Sequence, residues 1–203
     1  MTPVFFACDQ SRSGHLVSLF AVRFYAWTAY GFSEASLKGT LNCSDDVQSR
    51  FQQLDRLLRP RLLETYTLEA RIALAEEIFS RQIFRIRQND IIDGAVDQIL
   101  LKKGALSAAE LARECFISTR QLERLFHEYI GITPKKLCNL VRYQCLWNDI
   151  LRNPGFRILD AVHKYGYTDQ SHLMKEFKRY HSMDIQNAKL NAYHNVENIQ
   201  YFP

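Results

Sequence analysis

Two runs of the sequence place polar and basic side chains at the spacing of an exposed helix face. The first, residues 118–134, reads STRQLERLFHEYIGITP, and the second, residues 168–185, reads TDQSHLMKEFKRYHSMDI. At an offset of 51 residues the two runs share three positions: Leu122 with Leu173, Phe126 with Phe177, and Arg124 with Lys175. The repetition predicts two related amphipathic helices within one chain.

The polar faces of these two helices carry groups that can recognise nucleic acid. In the first helix they recur at i, i+3, i+4 and i+7: Arg120, Glu123, Arg124 and His127. In the second helix the matching stripe is Ser171, Met174, Lys175 and Lys178, with Gln170 and His172 beside it in the first turn. Such side chains can contact phosphates and read base edges in the DNA major groove, where Arg suits guanine and Gln suits adenine. Solvated faces of a small helical bundle are the alternative, and the duplication favours DNA.

Each polar helix follows a shorter helix and a turn, as in a helix–turn–helix unit. The short helices carry the pairs Leu111-Ala112 and Ala161-Val162, which are 50 residues apart. Because the longer helices are offset by 51, the second turn is expected to contain one extra residue, beside Gly166. Ser118 and Thr168 are the predicted N-caps of the two longer helices, since their hydroxyl groups can accept from free amides.

A long helix is predicted between the two units. Thr133 is its predicted cap, Pro134 suits its first turn, and Asn153-Pro154-Gly155 ends it. From residue 133 to residue 151 it would measure about 28 Å. Successive major-groove faces on one side of B-DNA lie about 34–36 Å apart. A rod of this length could therefore hold the two polar helices in neighbouring grooves.

The N-terminal part predicts a small α+β region. Residues 3–8 and 15–25 are rich in strand-forming residues and flank the turn-forming cluster DQSRSG, which predicts a β-hairpin. A helix capped by Asp45 is expected to end near Pro60, and a second, capped by Thr67, carries the apolar stripe Leu68, Ile72, Ala75 and Phe79. The predicted fold is mainly α: a sensor-like or dimerisation region over 1–88, a double helix–turn–helix domain over 89–191, and a tail over 192–203.

Several classes of function lack support in the composition. The net charge of +4 permits an anionic partner, and the five cysteines include no CxxC pair. The chain has no nucleophile-elbow, P-loop, dinucleotide-binding or zinc-protease motif, so no enzyme activity, cofactor or metal site is predicted. No apolar run approaches about 20 residues, so we expect a soluble, cytoplasmic protein that does not enter membranes.

Residues 91–189 resemble the AraC/XylS family of bacterial transcription regulators. The resemblance rests on Leu111-Ala112, the S-x-x-x-L-x-R-x-F run from residue 118 to 126, GITP at 131–134, Arg142, Ile158 and GYTDQSHLMKEFK at 166–178. It implies two helix–turn–helix subdomains joined by a long helix, and sequence-specific binding to promoters at the nucleoid. The base-reading positions that it implies are Arg120, Glu123, Arg124, Gln170, Ser171 and Lys175.

The sequence also departs from the family's usual pattern, mostly in the second unit. Ser182 stands where the family usually has Gly, Asp184-Ile185 replaces the usual Ser/Thr-Pro start of a helix, and Lys189 replaces a usual Arg. The pair Ala161-Val162 inverts the usual order of a larger and a smaller side chain, and Asp149 stands where Leu is common. An aspartate is a sound helix cap, and a serine only lacks glycine's ease at positive φ. We therefore expect the second unit to fold.

Residues 22–37, VRFYAWTAYGFSEASL, show a fainter resemblance to the end of the family's sensor barrel. The family usually has many more residues before this point, so the region is expected to be short or truncated, which disfavours a small-molecule effector. The exposed strand edge favours a homodimer through residues 1–88. RNA polymerase is a further partner that the resemblance allows. The alternative function is an interaction module that pairs with a full-length regulator without strong DNA binding of its own.

Overall fold

The computed structural model describes residues 4–12, 15–44, 46–80 and 87–194, with the backbone alone for 4–19 and 193–194. The protein is mainly α, as predicted, with one small antiparallel sheet. Its strands are β1 (Val4–Arg12) and β2 (His15–Arg23). Val4 pairs with Arg23 and Arg12 with His15, which confirms the hairpin. The predicted turn over DQSRSG was too long, because pairing continues through Asp9–Ser18 to residue 12.

The predicted helix from Asp45 to Pro60 is two helices, α1 (Val47–Arg50) and α2 (Gln52–Leu63). Phe51, at φ −129° and ψ 46°, interrupts the helical backbone between them. Asp46 caps α1 by accepting from the amide of Gln48, whereas Asp45 lies outside the described residues. Pro60 does not end α2, because proline removes one amide without preventing the remaining bonds of the last turns.

A small core joins α2 to α3 (Leu68–Ser80). It is built from Leu54, Leu58, Leu74, Ala75 and Ile78, with Phe20, Phe24 and Phe79 packed against it. Thr67 caps α3 as predicted, accepting from the amide of Ala70 at 3.2 Å. The predicted stripe was wrong at Leu68, whose side chain is exposed, because the face that packs on α2 runs through Leu74 and Ile78.

The remaining helices follow the predicted order. They are α4 (Asp90–Leu101), α5 (Ala108–Glu114), α6 (Thr119–Tyr129), α7 (Pro134–Arg152), α8 (Ile158–Lys164), α9 (Gln170–His181) and α10 (Ile185–His194). The pairs α5–α6 and α8–α9 are two helix–turn–helix subdomains, and α7, with 19 residues, is the long helix between them. Asp184 caps α10 by accepting from Asn187 at 2.9 Å, and α10 continues beyond the predicted domain end at residue 191.

The chain divides into two compact units that do not follow sequence order. One unit contains residues 1–93 and 123–133, and the other contains residues 94–122 and 134–203. The C-terminal half of α6 therefore belongs to the same unit as the N-terminal region. The predicted functional boundary between 1–88 and 89–191 stays a prediction.

A second core, in the unit that contains α7, holds the second helix–turn–helix. Its buried members are Leu146, Trp147, Ile150, Ala161, Val162, Tyr165, Tyr167, Leu173, Phe177, Ile185 and Ala188. They come from α7, α8, α9 and α10 and from the turn between α8 and α9, so four helices and one turn bury their apolar side chains together. Over the described ranges, no helix is long and apolar enough to cross a membrane.

Candidate nucleic-acid interface

The first turn, between α5 and α6, is shaped by a left-handed residue. Phe116 has φ 56°, and beyond it the amide of Ile117 donates to the carbonyl of Ala112 at 3.0 Å. This bond closes the end of α5 in the manner of a Schellman motif. At its other end, α5 has a capping box between Ser107 and Glu110. A seven-residue helix is thus closed at both ends by local hydrogen bonds.

The second turn repeats this geometry. Gly166 takes the left-handed position with φ 67°, and the amide of Tyr167 donates to the carbonyl of Val162 at 2.9 Å. These residues lie 50 positions after Phe116, Ile117 and Ala112. The two turns are therefore equivalent as far as Tyr167. The offset rises to 51 only after that residue, between Tyr167 and the cap of α9.

The helix caps locate the extra residue. Ser118 Oγ accepts from the amide of Gln121 at 3.2 Å and caps α6 as predicted. The cap of α9 is Asp169, whose Oδ1 accepts from the amide of His172 at 2.7 Å. The prediction that Thr168 is the cap was wrong. Threonine and aspartate can both cap a helix, and in the structure it is Asp169, not its neighbour Thr168, that caps α9. Thr168 is itself the inserted residue, two positions after Gly166.

The apolar stripes that anchor α6 and α9 are buried. Leu122, Phe126 and Leu173 have 0% of their surface exposed, and Phe177 has 1%. These four residues occupy two of the three positions matched at an offset of 51. The predicted orientation of both helices about their own axes is therefore confirmed, since the polar stripes stand opposite these side chains.

The predicted DNA-contacting side chains lie on the other sides of the two helices. Exposed members are Arg120, Glu123, Arg124, Gln170, Ser171, His172, Lys175 and Lys178, whereas His127 is half-buried. The side chains of Arg120, Arg124, Lys175 and Lys178 make no hydrogen bond or ion pair with any residue in the described part of the chain. By contrast, Arg59, Arg61, Arg87 and Arg142 are all paired with carboxylates. The contact of these side chains with DNA stays a prediction.

An ion pair beneath α9 was not anticipated from the sequence. Nη2 of Arg142, on α7, lies 3.1 Å from Oε2 of Glu176; Glu176 is buried, and the Arg142 side chain is 12% exposed. The hydroxyl of Tyr167 donates to Glu176 Oε1 at 3.1 Å, and the Arg142 guanidinium stands 4.6 Å from the centre of the Tyr167 ring. The signal was present: Glu176 sits between Leu173 and Phe177 on the buried side of α9, where a carboxylate requires a partner.

Two further polar contacts hold the second unit. Burial alone would raise the pKa of Asp149, but hydrogen bonds from Lys164 at 2.8 Å and Tyr165 at 3.0 Å outweigh it and lower that pKa. Contacts from the end of α8 thus stabilise Asp149, which stands where the AraC/XylS family commonly has leucine. On α9, the His181 Nδ1 lies 2.7 Å from the hydroxyl of Tyr143, and burial lowers the pKa of His181.

Metal ligands and reactive thiols do not mark a site in the described residues. Across those ranges, no group of three or more His, Cys, Asp or Glu side chains could hold a metal ion. Burial raises the pKa of Cys138 to about 11, which keeps that thiol protonated and unreactive near neutral pH. The polar chemistry displayed by the two subdomains is therefore that of α6 and α9.

Comparisons with known proteins find one family and several solved structures that are similar to part of the chain. The helix-turn-helix domain family matches residues 111–187, and no curated protein matches the chain. A transcriptional regulator of the class of AraC-type DNA-binding domain-containing proteins, from Chromobacterium violaceum, is 20% identical over 50% of this chain and 90% of its own, with a TM-score of 0.46.

Two other solved structures are similar to the same extent. The C-terminal domain of AraT, a response regulator from Geobacillus stearothermophilus, is 19% identical over 52% of this chain and 88% of its own, with a TM-score of 0.48. A DNA-binding transcriptional dual regulator from Escherichia coli K-12 is 19% identical over 54% and 96%, with a TM-score of 0.45. The match to the helix-turn-helix domain family, over residues 111–187, covers most of α5, all of α6 to α9 and the start of α10.

Proposed function

We propose that the protein is a sequence-specific regulator of transcription that places α6 and α9 in two successive major grooves of double-stranded DNA. The observation that carries this proposal is the repeated pair of exposed, unpartnered cations on corresponding faces: Arg124 on α6 and Lys175 on α9. A helix that only packs in a bundle has no need of such a face, whereas a recognition helix requires one.

The chemistry of the two faces supports reading of bases rather than attraction to phosphates alone. Arg120 and Arg124 present guanidinium forks that match the two acceptors of guanine, and Gln170 can hydrogen-bond adenine through its amide. Glu123 is an acceptor for the cytosine amino group. The mixture of acidic, amide and basic groups suits discrimination between base pairs, because cations alone would bind any sequence.

The length of α7 supports the proposed binding of two successive major grooves. Its 19 residues span about 28 Å along the helix axis. One helical turn of B-DNA, by comparison, measures about 34–36 Å. The two subdomains should therefore protect two short segments of one DNA face, separated by about one turn.

The test is selection of genomic fragments by the full chain, followed by hydroxyl-radical footprinting and a salt series on the best fragment. We expect two protected segments about ten base pairs apart and an affinity that falls steeply between 50 and 200 mM salt, because phosphate contacts release counterions. One protected segment would contradict the two-groove arrangement. Failure to enrich any fragment would reject the proposal and favour the interaction module that pairs with another regulator.

A further inference from the structure

The segment over residues 30–40, named here the strap, closes the C-terminal end of α6. The amide of Leu37 donates to the main-chain carbonyl of Glu128 at 3.0 Å, and Ser36 Oγ donates to the Glu128 carboxylate at 2.7 Å. The carbonyl of Glu128 belongs to the last turn of α6, where helix carbonyls lack a partner within the helix. The strap supplies that partner from about 90 residues earlier in the sequence.

The same carboxylate also ties Arg87 to α6. Arg87 Nη2 lies 3.0 Å from Glu128 Oε1, and Arg87 Nη1 donates to the carbonyl of Ala35 at 2.6 Å. The guanidinium stands 4.3 Å from the centre of the Tyr129 ring, and only 15% of the Arg87 side chain is exposed. Glu128 thus bonds both to the strap and to Arg87, three residues before the start of α4. Residues from three separate parts of the sequence meet at this one carboxylate.

Gly131 makes the close approach of the strap feasible. It has φ 80°, and a Cβ atom placed there would lie 2.5 Å from the Leu37 carbonyl oxygen and 3.0 Å from Thr40 Oγ1. A side chain at residue 131 would therefore push against the strap's main chain. Gly39, inside the strap, also has a positive φ of 82°, but a Cβ atom there would meet nothing within 4 Å.

We infer that Glu128 is a positioning residue for DNA recognition: its bonds to the strap and Arg87 fix the C-terminal half of α6 to the N-terminal region. This inference rests on the proposed function, since it assigns Glu128 a role in placing Arg124, one turn before it, and the adjacent His127 against DNA. The N-terminal region then acts on the first recognition helix directly, through hydrogen bonds to its last turn. The second recognition helix has no such bonds to the strap among the described residues.

Whether Glu128→Ala weakens or strengthens DNA binding distinguishes a positioning role of Glu128 from a simple effect of its negative charge. Removing an acidic group from a DNA-binding surface normally strengthens binding, because repulsion of phosphates is relieved. If Glu128 positions α6, Glu128→Ala weakens binding instead, by about tenfold, a loss typical of one or two hydrogen bonds. Glu114→Ala, which removes an exposed carboxylate on α5, is the charge control and should not weaken binding.

The experiment combines footprinting with hydrogen exchange of the full chain. We expect Glu128→Ala and Gly131→Ala to lose protection over the α6 segment while retaining it over the α9 segment, with Glu128→Gln intermediate. Gly39→Ala, which carries the same backbone strain without the clash, should bind as the unaltered chain does. Equal loss over both segments, or no loss, would overturn the inference.

Hydrogen exchange keeps the inference testable without DNA. The amide of Leu37 should be protected in the unaltered chain and exchange at least about tenfold faster in Glu128→Ala, because its acceptor sits on a helix end that is no longer held. An unchanged exchange rate at Leu37 in Glu128→Ala would refute the inference that Glu128 holds the strap against α6, even if DNA binding were established. If exchange responds as expected but no fragment binds, the proposed function fails and the tie between the strap and α6 stands.

Discussion

Nη2 of Arg142 lies 3.1 Å from Oε2 of Glu176, so an ion pair that is largely shielded from solvent joins the long helix α7 to α9. The side chains are 12% and 9% exposed, and the Tyr167 hydroxyl occupies a further acceptor position of the carboxylate. The ion pair is a directional contact, unlike apolar packing, and it fixes which face of α9 is buried. It therefore orients Lys175, the residue next to Glu176, towards solvent.

Glu176→Ala should lower the free energy of unfolding by about 3–5 kcal/mol, because Arg142 would be left buried without its counter-ion. Chemical denaturation of the full chain, followed by circular dichroism, measures the loss. Asp160→Ala, which breaks the exposed pair with Arg157, is the control and should cost at most about 1 kcal/mol. Equal losses for the two variants would contradict the importance of burial.

Phe126→Ala should destabilise the protein by about 3–5 kcal/mol, since it deletes a fully buried ring and leaves a cavity. Phe116→Ala provides a matched comparison, because Phe116 is 94% exposed. It should change the denaturation midpoint little. A midpoint for Phe126→Ala that equals that of the unaltered chain would mean that the buried stripe of α6 is assigned wrongly.

Arg124→Ala should weaken binding to the selected DNA fragment by about 1–3 kcal/mol and relax the preference at one base pair. Lys175→Ala should act likewise in the other protected segment. Fluorescence anisotropy against a panel of single-base changes measures both effects. Arg56→Ala, an exposed cation on α2, controls for net charge. A shift in thermal midpoint of more than a few degrees for Arg124→Ala would indicate a structural role instead.

Ser182 closes α9 in the left-handed conformation, with φ 63°. Ser182→Gly should raise the free energy of unfolding by about 0.5–1 kcal/mol, because glycine adopts this conformation without steric cost. Ser182→Ala keeps the Cβ atom and should give no gain, which separates backbone strain from loss of the hydroxyl. Thermal denaturation of both variants decides the matter, and a destabilised Ser182→Gly would show that the serine hydroxyl matters more.

A fall in pH should destabilise the second helix–turn–helix subdomain through protonation of His181. Burial lowers the pKa of this histidine, which packs against Trp147 and Phe177, so the folded state binds its proton less readily than the unfolded chain. Its contribution to stability is therefore complete above the unfolded pKa of about 6.5 and declines as the pH falls below that value. Denaturation of the unaltered chain at pH 7.5 and 5.5 should show this decline. His181→Gln should flatten it, whereas His163→Gln, at an exposed position, should leave it unchanged.

Periodicity was sufficient to predict the C-terminal helices. Leu122, Phe126, Leu173 and Phe177 recur at intervals that only a helix buries on one side, and caps such as Ser118 and Asp184 fix where helices begin. The choice between Thr168 and Asp169 could not be made in this way, because both residue types cap helices and the selection depends on the turn's closure at Gly166.

The contacts that cross long stretches of sequence were beyond prediction. Nothing in the local pattern around Glu128 reveals that its carboxylate bonds to Ser36 and Arg87, since such pairs depend on how distant segments meet. Glu176 was closer to being predictable from its place on the buried side of α9, although Arg142 could not have been identified as its partner. In the N-terminal region, Pro60 inside α2 and the exposed Leu68 show tertiary packing overriding local signals.

The insertion of Thr168 has a practical consequence for redesigning sequence preference. The short helices and the left-handed turn residues correspond at one offset, whereas α6 and α9 correspond at another. A graft of side chains from α6 onto α9 must therefore be counted from Ser118 and Asp169, not from the preceding helices. A graft misnumbered by one residue would rotate every transplanted side chain by about 100° about the helix axis and turn an exposed polar group towards the protein interior.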